Sequence, residues 1–447
     1  MKFEEIKRIL SNAAERRGLT EYEIYYQIDE SISAETLKDE ISAFSSGVGG
    51  GVCFRCIVNG KMGYASGERM TEEALEEMVE QAISNAACID SEDEVFLFGG
   101  SPSYTKLPAR EIALNDAATV RDTALRLQKA LYAESEHVTD GTQSCAISLI
   151  SEIAISNSHG LSLQNRVGMS GAYVNPIVTD GKESQESFEF DEGVSYDELK
   201  KLPEKAVQKA LEKLGAETVS SGKYDVILDG TQFRQFLATF SPVFSAKQAQ
   251  HGLSLLAGKE GEVIASPCVT VVDDPMREGA CMQTPFDGEG VATARRNVIE
   301  NGVLKTLLYD LSTAKKAGVA STGNGQKAGY SAPIAIAPYH FSICPGEADD
   351  ETLFSTLGNG LYVTQCKGFH SSANAVTGDF SIECAGFLIR DGKKSGAIKG
   401  FTVAGNFFDL LKQIEAVGNE LKWSIPTSFT VFGSPNVLIR NLSVAGK

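Results

Sequence analysis

The most nucleophile-like constellation in this 447-residue chain is "CKGFHSSAN", where Cys366 and His370 are followed by Asn374. A thiolate nucleophile needs a nearby base and a third group that orients the base. Cys366, however, ends the strand-like run "LYVTQC", and Gly368 interrupts that run before His370. The pattern favours a strand cysteine and a loop histidine over a catalytic pair. Contact of His370 and Asn374 with a peptide or a protein partner remains a third interpretation.

Three glycine-rich loops carry polar side chains that could serve a site. "FDGEGV" holds Asp287 and Glu289, but alternating residues on such a loop more often cap turns than form a catalytic pair. "STGNG" and "AGNFFD" each pair a glycine with an asparagine, which can bring backbone N–H groups close to a ligand. Four residues are the candidate contacts of a peptide groove or of a partner: Asn324, His370, Asn374 and Asn406.

The cysteines do not indicate a disulfide framework. There are nine, an odd number scattered along a large chain. Cys53 and Cys56 form a C-x-x-C, but their segment, "GVCFRCIVNGKMGYAS", alternates like a strand. Residues three apart on a strand point to opposite faces, so this pair does not readily share a metal or a redox turn. We expect both to be buried small hydrophobic residues.

The common catalytic and nucleotide-binding motifs are absent from the sequence. It contains no H-E-x-x-H, no EF-hand loop, no P-loop lysine motif and no G-x-S-x-G. "GVGGG" (47–51) leads into a strand and not into a helix N-terminus, so it lacks the geometry that cradles a phosphate. We assign no catalytic residue and no metal ligand in this chain.

One stretch lies where an active site is common but has little chemistry of its own. "QFLATFSPVFSAKQAQHG" (235–252) reads as a short helix just after a strand. Residues 230–259 contain no Asp or Glu, and their only histidine is His251. Pro242 is expected to end the helix early.

Charge and hydrophobicity narrow the class of protein. The net charge is −18, and residues through Gly215 contribute 21 Lys and Arg against 37 Asp and Glu. Because binding to a phosphate backbone needs clustered cations, we expect no nucleic-acid partner. No apolar run approaches the roughly 20 residues of a membrane span, and the N-terminus reads as an amphipathic helix and not as a secretion signal. We expect a cytoplasmic protein without membrane contact.

The elements that position these residues predict an α+β fold in two parts. Residues 1–215 have mixed strands and helices, with room for subdomains at about 1–90 and 110–215 around a polar connection, 90–108. Residues 216–447 form a β-rich domain with few helices. Hydrophobic periodicity predicts helices at 2–17, 71–88, 115–134, 202–214, just after "VILDG", and 406–417.

Eight stretches in the second part together resemble the TldD/PmbA family, once called modulators of DNA gyrase. They are "SGKYDVILD", "ASPCVTVVDD", "FDGEGV", "IENGVLKTLLYD", "STGN", "GLYV", "TGDFSIECAGFLI" and "TVAGNFFDLL" with "GNEL". Their order makes the resemblance specific, and the first part agrees in architecture. The resemblance implies an intracellular metallopeptidase assembly that acts on unfolded or peptide substrates.

The resemblance also implies where a metal would lie and indicates that this chain lacks its ligands. A TldD-type subunit carries zinc on a helix with the pattern His-Glu-three residues-His, and a cysteine near the C-terminus adds a ligand. In this chain Ala238, Thr239 and Val243 fall at the His, Glu and His positions, and the tail from Thr427 contains no cysteine. This departure matches the PmbA/TldE branch, so zinc is expected only in a TldD-type partner.

Three hypotheses about function follow. The first is a zinc-free subunit that pairs with a TldD-type protein, shapes a joint chamber and admits peptide, in a homo- or hetero-oligomer. The second is a self-sufficient hydrolase that uses Cys366 and His370. The third is a non-enzymatic peptide-binding modulator of a toxin or of DNA gyrase.

Overall fold

The computed structural model describes residues 1–90, 94–108, 112–426 and 428–447. Its mixture of helices and strands confirms the predicted α+β class. The connection predicted at 90–108 includes residues 91–93, which lie outside the described residues. Among the described residues no helix is both long enough and apolar enough to cross a membrane.

The elements up to residue 211 build one large antiparallel sheet, a separate two-stranded sheet of β6 and β7, and helices. In chain order they are α1 (Phe3–Arg16), β1 (Tyr22–Leu37), β2 (Glu40–Val58), β3 (Lys61–Gly67), α2 (Glu72–Ala87), α3 (Ala117–Glu134), β4 (Gln143–Asn157), β5 (Ser162–Asn175), β6 (Ile177–Thr179), β7 (Ser184–Glu186), β8 (Glu189–Glu192), α4 (Tyr196–Leu199) and α5 (Leu202–Leu211). The sheet has the order β3-β2-β1-β4-β5-β8.

The two faces of this first sheet have different neighbours because side chains alternate along a strand. On β1, Ile24 and Tyr26 share a hydrophobic cluster with residues of α1 and α2, and Ile32 and Ala34 share another with residues of α3. All three helices therefore cover one face. On the other face Tyr25 packs against residues that include Phe286 of the second half, so loops from the later part of the chain cover that end of the sheet.

The elements after residue 220 are shorter. They are β9 (Gly222–Leu228), α6 (Gly230–Phe240), a 3-10 turn (Ser241–Phe244), α7 (Ala246–Gln250), β10 (Val271–Asp273), β11 (Arg296–Glu300), β12 (Val303–Leu304), α8 (Leu311–Ala317), β13 (Gly325–Lys327), β14 (Ile334–Ile336), β15 (His340–Ile343), α9 (Asp350–Leu357), β16 (Gly360–Lys367), α10 (Phe369–Ser372), β17 (Asp379–Arg390), β18 (Lys393–Asn406), α11 (Phe407–Gln413), β19 (Ile414–Val417), β20 (Lys422–Trp423), β21 (Val431–Ser434) and β22 (Val437–Ala445).

Two six-stranded sheets dominate this half. Their orders are β12-β11-β10-β15-β21-β20 and β18-β17-β16-β9-β22-β19, and β18 also pairs with β22. One large hydrophobic cluster includes side chains from both sheets, such as Phe341 and Ile382, together with Phe236 of α6. Helix α6 therefore lies within the main core, and the packing of that core fixes its position.

Most predicted helices are confirmed, and two differences concern the second half. The helix predicted at 406–417 ends at Gln413, because Ile414–Val417 instead pair as β19 with β22. The apolar spacing fits either structure, and the open side of β22 decides in favour of the strand. Helices α8 and α9 and the short helix α10 were not predicted, and α10 places His370 in a helical turn instead of the expected loop. The division between residues 215 and 216 stays a prediction, and it lies between α5 and β9.

Candidate functional site

Helix α6 begins at a buried, charged anchor. Asp229 follows β9, and its side chain accepts a hydrogen bond from the backbone N–H of Thr231 at 2.8 Å. Its other carboxylate oxygen lies 2.8 Å from Lys422 Nζ and accepts a 2.5 Å hydrogen bond from the Tyr362 hydroxyl. Burial alone would raise the pKa of Asp229, but Lys422 and these hydrogen bonds outweigh it and lower the pKa to about 2. The anchor fixes where the helix starts.

The residues at the expected zinc-ligand positions offer no suitable donor set. Ala238 and Thr239 are half-buried on the last turn of α6, which ends at Phe240 as Pro242 predicts. Val243 lies in the following 3-10 turn and is 1% exposed. Zinc sites in proteins use thiolate, imidazole or carboxylate ligands, and these three side chains supply none. The residues at this helix do not fit the metal.

Aromatic rings fill the space around α6. The Phe236 ring makes edge-to-face contacts with Phe369 and Phe380, with centroids 4.9 and 5.0 Å away. The Phe240 ring stacks on Phe407 with centroids 4.5 Å apart. Such pairs combine apolar burial with favourable ring geometry. The helix is therefore held by hydrocarbon packing on this side.

A wide hollow opens beside this aromatic cluster. It is lined by residues 371–375 and 379–381, and its empty volume is about 890 Å³ with the open solvent at its mouth included. The lining includes Asn374, and His370 directly precedes it in the short helix α10. Both side chains are exposed.

The structure brings three of the four candidate contacts to this end of the molecule. Asn374 accepts hydrogen bonds from the backbone N–H groups of Val376 and Thr377. Asn406 donates to the carbonyl of Thr377 at 2.8 Å and to Asp379 at 2.9 Å, and it also caps α11. The two asparagines thus shape the same loop, which forms one rim of the hollow.

Asn324 lies apart from the other three candidates. It is 2% exposed, and its side-chain amide donates to Asp273 at 2.7 Å and to the carbonyl of Ala337 at 3.1 Å. Burial raises the pKa of Asp273 to about 6, although Asn324 and the backbone N–H of Tyr339 donate to it. The Asn324 side chain therefore makes its hydrogen bonds to groups inside the protein.

Cys366 and His370 do not form a pair. Cys366 is buried, and its sulfur lies 3.6 Å from that of Cys384 on the neighbouring strand. The hydrogen bond with Cys384, together with burial, raises the pKa of Cys366 well above its usual value. A thiol held protonated in the core is a poor nucleophile. Cys53 and Cys56 are buried in two different hydrophobic clusters, as predicted.

The carboxylates of "FDGEGV" have more unusual surroundings than the sequence indicated. Asp287 is buried and accepts 2.9 Å hydrogen bonds from the N–H groups of Glu289, Val291 and Gly325. Glu289 accepts a 2.8 Å hydrogen bond from the N–H of Leu311. Asp287 therefore stabilises its own turn, as expected, whereas Glu289 instead accepts from the first residue of α8. Burial nevertheless raises the pKa of Asp287 to about 7, and burial with the nearby Asp287 raises that of Glu289 to about 8.

Asp287 also lines a pocket where the first sheet meets loops of the second half. The empty volume is about 350 Å³ with its open mouth included, and the lining includes Tyr25, Phe286 and Lys327. The Lys327 ammonium lies 4.7 Å from the centre of the Tyr25 ring, and burial lowers its pKa. Sequence reasoning missed Lys327, because nothing in "GQKAG" indicates that it faces another part of the chain.

Among the described residues, no group of three or more His, Cys, Asp or Glu side chains is arranged to hold a metal ion. Besides Asp273, two sites hold buried carboxylates with shifted pKa values, Asp229 with Lys422 and Asp287 with Glu289. Each is satisfied by hydrogen bonds from its own surroundings.

Three family models match successive parts of this chain. Residues 22–86 match PmbA/TldA metallopeptidase domain 1, residues 110–214 the central domain, and residues 221–446 the C-terminal domain. The chain therefore belongs to the TldD/PmbA family, as the motifs indicated, and is a member of a TldD/TldE-type peptidase family.

Named relatives and solved structures agree with this assignment. The chain is 27% identical to a Methanothermobacter thermautotrophicus protein named Metalloprotease, over 93% of each chain. It is 25% identical to the Metalloprotease PmbA homolog of Haemophilus influenzae, over 80% of this chain and 79% of that protein. Its fold is similar to that of TldE from Thermococcus kodakarensis, with a TM-score of 0.87, 25% identity and coverage of 99% and 100%. A Thermotoga maritima protein, titled for a proposed role as modulator of a DNA gyrase, gives a TM-score of 0.88 at 28% identity, with 99% and 100% coverage.

Proposed function

We propose that this chain is the zinc-free, TldE-like subunit of a two-component metallopeptidase that degrades or matures unfolded peptides in the cytoplasm. The TldD-type partner supplies the zinc and the catalytic glutamate. This chain supplies one wall of the chamber and a route by which peptide enters. The observation that carries the proposal is the chemistry of α6, where Ala238, Thr239 and Val243 stand at the ligand and base positions.

The surroundings of α6 support a positioning role for this region. The rings of Phe236 and Phe240 pack against three other rings of the core, those of Phe369, Phe380 and Phe407, so the helix cannot shift without a loss of packing. Asp229 and Lys422 fix its first turn. A rigid helix behind a wide hollow can form a chamber wall, and the partner's active site can hold substrate against that wall.

The hollow supports a role in peptide contact. Its lining has short side chains, Ser371, Ser372, Ala373 and Ala375, and exposed polar groups at its rim. Small side chains leave room for a peptide backbone, and the exposed His370 and Asn374 offer hydrogen bonds without forming a deep, selective pocket. This combination fits a site that accepts many unfolded sequences.

The decisive experiment measures zinc content and casein hydrolysis of the purified chain, alone and after mixing with the TldD-type relative from the same genome. The proposal expects no stoichiometric zinc and no hydrolysis in the isolated chain, and hydrolysis in the mixture above that of the partner alone. Stoichiometric zinc with activity in the isolated chain would overturn it. A mixture that binds peptide without any gain in cleavage would favour the non-enzymatic modulator.

Two variants separate the proposal from a self-sufficient cysteine hydrolase. Cys366→Ala and His370→Ala should leave the isolated chain as inactive as the parent, because the Cys366 sulfur is buried against Cys384. If the parent chain hydrolyses casein and either variant abolishes that activity, the cysteine mechanism replaces the proposal.

A further inference from the structure

The outer edge of β2 is open over half of its length. β2 pairs with β1 from Glu40 to Cys56, but it pairs with β3 only from Val52 to Val58. Among the described residues no strand pairs with the other side of Ser42–Gly49, a segment of about 27 Å at the usual strand rise. All eight of these residues are exposed.

The backbone groups on this edge have a defined direction. The N–H of Ile57 donates to the carbonyl of Glu21, which continues the β1–β2 register. Bonded pairs alternate along an antiparallel ladder, so the odd-numbered residues of β2 bond to β1. Phe44, Ser46 and Val48 therefore turn their N–H and C=O groups away from the sheet.

From Ala43 to Gly49 the edge lacks most of the features by which proteins normally prevent strand addition, and the one present is a β-bulge at Ser42, at the end of the segment. Natural edges are blunted by charged side chains, by proline or by short length. No residue from Ile41 to Phe54 is charged or proline. Phe44 and Val48 are instead 44% and 70% exposed on the face that carries α3.

The opposite face of the edge bears only small residues: Ala43, Ser45, Gly47 and Gly49. At Gly47 and Gly49 an added Cβ would have nothing within 4 Å, and neither residue has a positive φ. Neither packing within this chain nor backbone conformation requires glycine there. A glycine in a strand often marks the close approach of a ligand or another backbone.

Because β2 bears only small residues on this face, it leaves acidic side chains of the neighbouring strand β1 uncovered. Glu35 pairs with Ala43 and Asp29 with Gly49, so both acids lie on the face of β2 that bears only small residues. The Asp29 carboxylate also accepts hydrogen bonds from Gln27 at 2.9 Å and from Ser151 of β4 at 2.6 Å. A strand added outside β2 would lie about 9.6 Å from β1, two strand spacings away. An extended lysine or arginine side chain can cross that distance where no side chain of β2 intervenes. On the face that carries α3, Glu30 pairs with Val48 of the same edge. The positive charge on that face is Arg121, whose guanidinium lies over the Phe44 ring.

We propose that Ser42–Gly49 binds an extended, basic polypeptide segment by adding it to the sheet as a strand. This inference rests on the proposed function and names the class of peptide that the subunit would recruit. Main-chain hydrogen bonds to Phe44, Ser46 and Val48 supply binding that tolerates many sequences, and Asp29 with Glu35 supplies the preference for basic side chains. A second copy of this edge contains no Lys or Arg, so it lacks the cations that these acids attract.

The test uses fluorescence anisotropy of the full-length chain, without partner, at low salt. The probe is a fluorescein-labelled peptide of about twelve residues with alternating Lys and Thr, and a Glu-for-Lys version is the comparison. Ser46→Pro/Val48→Pro removes two outward N–H donors without loss of a hydrogen bond to β1. The matched control, Ser46→Thr/Val48→Ile, keeps both donors, and circular dichroism checks the fold of each variant.

The proline variant should raise Kd for the Lys peptide about tenfold or more, which corresponds to about 1.4 kcal/mol of lost hydrogen bonding. The control should bind like the parent, and Asp29→Asn/Glu35→Gln should remove most of the preference for Lys over Glu. Equal binding by the proline variant and the parent would overturn the proposal. So would a dimer in sedimentation that only the proline variant dissociates, because a second copy would then occupy the edge. Peptide binding without cleavage in the partner mixture would sink the proposed function and leave this inference standing.

Discussion

Asp229 and the Asp287–Glu289 pair are two buried acidic sites with opposite electrostatics. Lys422 lies against Asp229, whose pKa falls to about 2. Asp287 accepts three backbone hydrogen bonds, yet burial and a neighbouring acid keep its pKa at about 7 and that of Glu289 at about 8. An adjacent cation thus decides the charge of a buried carboxylate more strongly than neutral donors do.

The two sites therefore affect stability in opposite directions as pH changes. The depressed pKa of Asp229 gives stability that is present above its unfolded value of about 4 and is lost as pH falls toward 2. The raised pKa values of Asp287 and Glu289 give stability that is present below about 4 and is lost as pH rises through 7 and 8. The fold should be most stable in mildly acidic solution.

The largest expected effect comes from removing the cation of the first site. Lys422→Met leaves Asp229 charged and buried without its partner, so we expect a loss of about 3 kcal/mol in the free energy of unfolding. Urea denaturation at pH 7 measures it. Asp229→Asn/Lys422→Met is the control, because it removes both charges and should lose less. Equal losses in the two variants would show that the cation does not set the state of Asp229.

The next effect is the pH dependence of the second site. Between pH 7 and pH 9 the parent should lose roughly 2 kcal/mol, chiefly because Glu289 must ionise in the interior. Glu289→Gln should flatten this slope and keep a carbonyl acceptor for the N–H of Leu311. Thermal unfolding at several pH values gives the measurement, with the half-exposed Glu300→Gln as control. A slope that is unchanged in Glu289→Gln would contradict the assignment.

A smaller effect tests the tight contact that confines Glu289. A Cβ at Gly325 would lie 2.6 Å from the Glu289 carboxylate, so Gly325→Ala should displace that flexible side chain. We expect a loss of about 1 kcal/mol and a weaker pH slope, because the acid moves toward solvent. Gly396→Ala is the control, since a Cβ there has nothing within 4 Å. A steeper slope in Gly325→Ala would mean that Glu289 is driven deeper.

The smallest effect on stability belongs to an exposed residue of the hollow. His370→Ala should change the free energy of unfolding by less than about 0.5 kcal/mol, since the imidazole is at the surface. In the mixture with a TldD-type partner, we expect KM for a peptide substrate to rise about threefold with kcat unchanged. Steady-state kinetics separates the two constants, and a drop in kcat alone would argue against a binding role.

Local patterns predicted much of the fold. Thr71, a residue type that favours helix N-caps, caps α2, and Asn59-Gly60, a pair typical of tight hairpin turns, joins β2 to β3 with both residues at positive φ. Helix α6 and its early end at Pro242 also follow from the sequence. These features depend on residues within a few positions of one another, so a single stretch of sequence contains the information.

What the sequence missed depends on distant parts of the chain. Lys422 meets Asp229 across 193 positions. The surroundings of Asp287 combine its own loop with Gly325, while Glu289 meets Leu311. No local pattern states which segments will bury a carboxylate together. The segment 414–417 was assigned to a helix because the open edge of β22 that it fills lies further along the chain.

The position of β22 has a consequence for synthesis. Val437–Ala445 form an interior strand of the sheet β18-β17-β16-β9-β22-β19, where they pair with β9, β18 and β19. On the ribosome, β9 and α6 emerge some two hundred residues before this strand, which at 5–20 residues per second is roughly 10–40 seconds. During that interval the edge of β9 that later pairs with β22 keeps unpaired backbone N–H and C=O groups. Nascent chains of this protein should therefore depend on chaperones until β22 has been made, and deletion of Val437–Ala445 should disrupt the interior of this sheet and not only its edge.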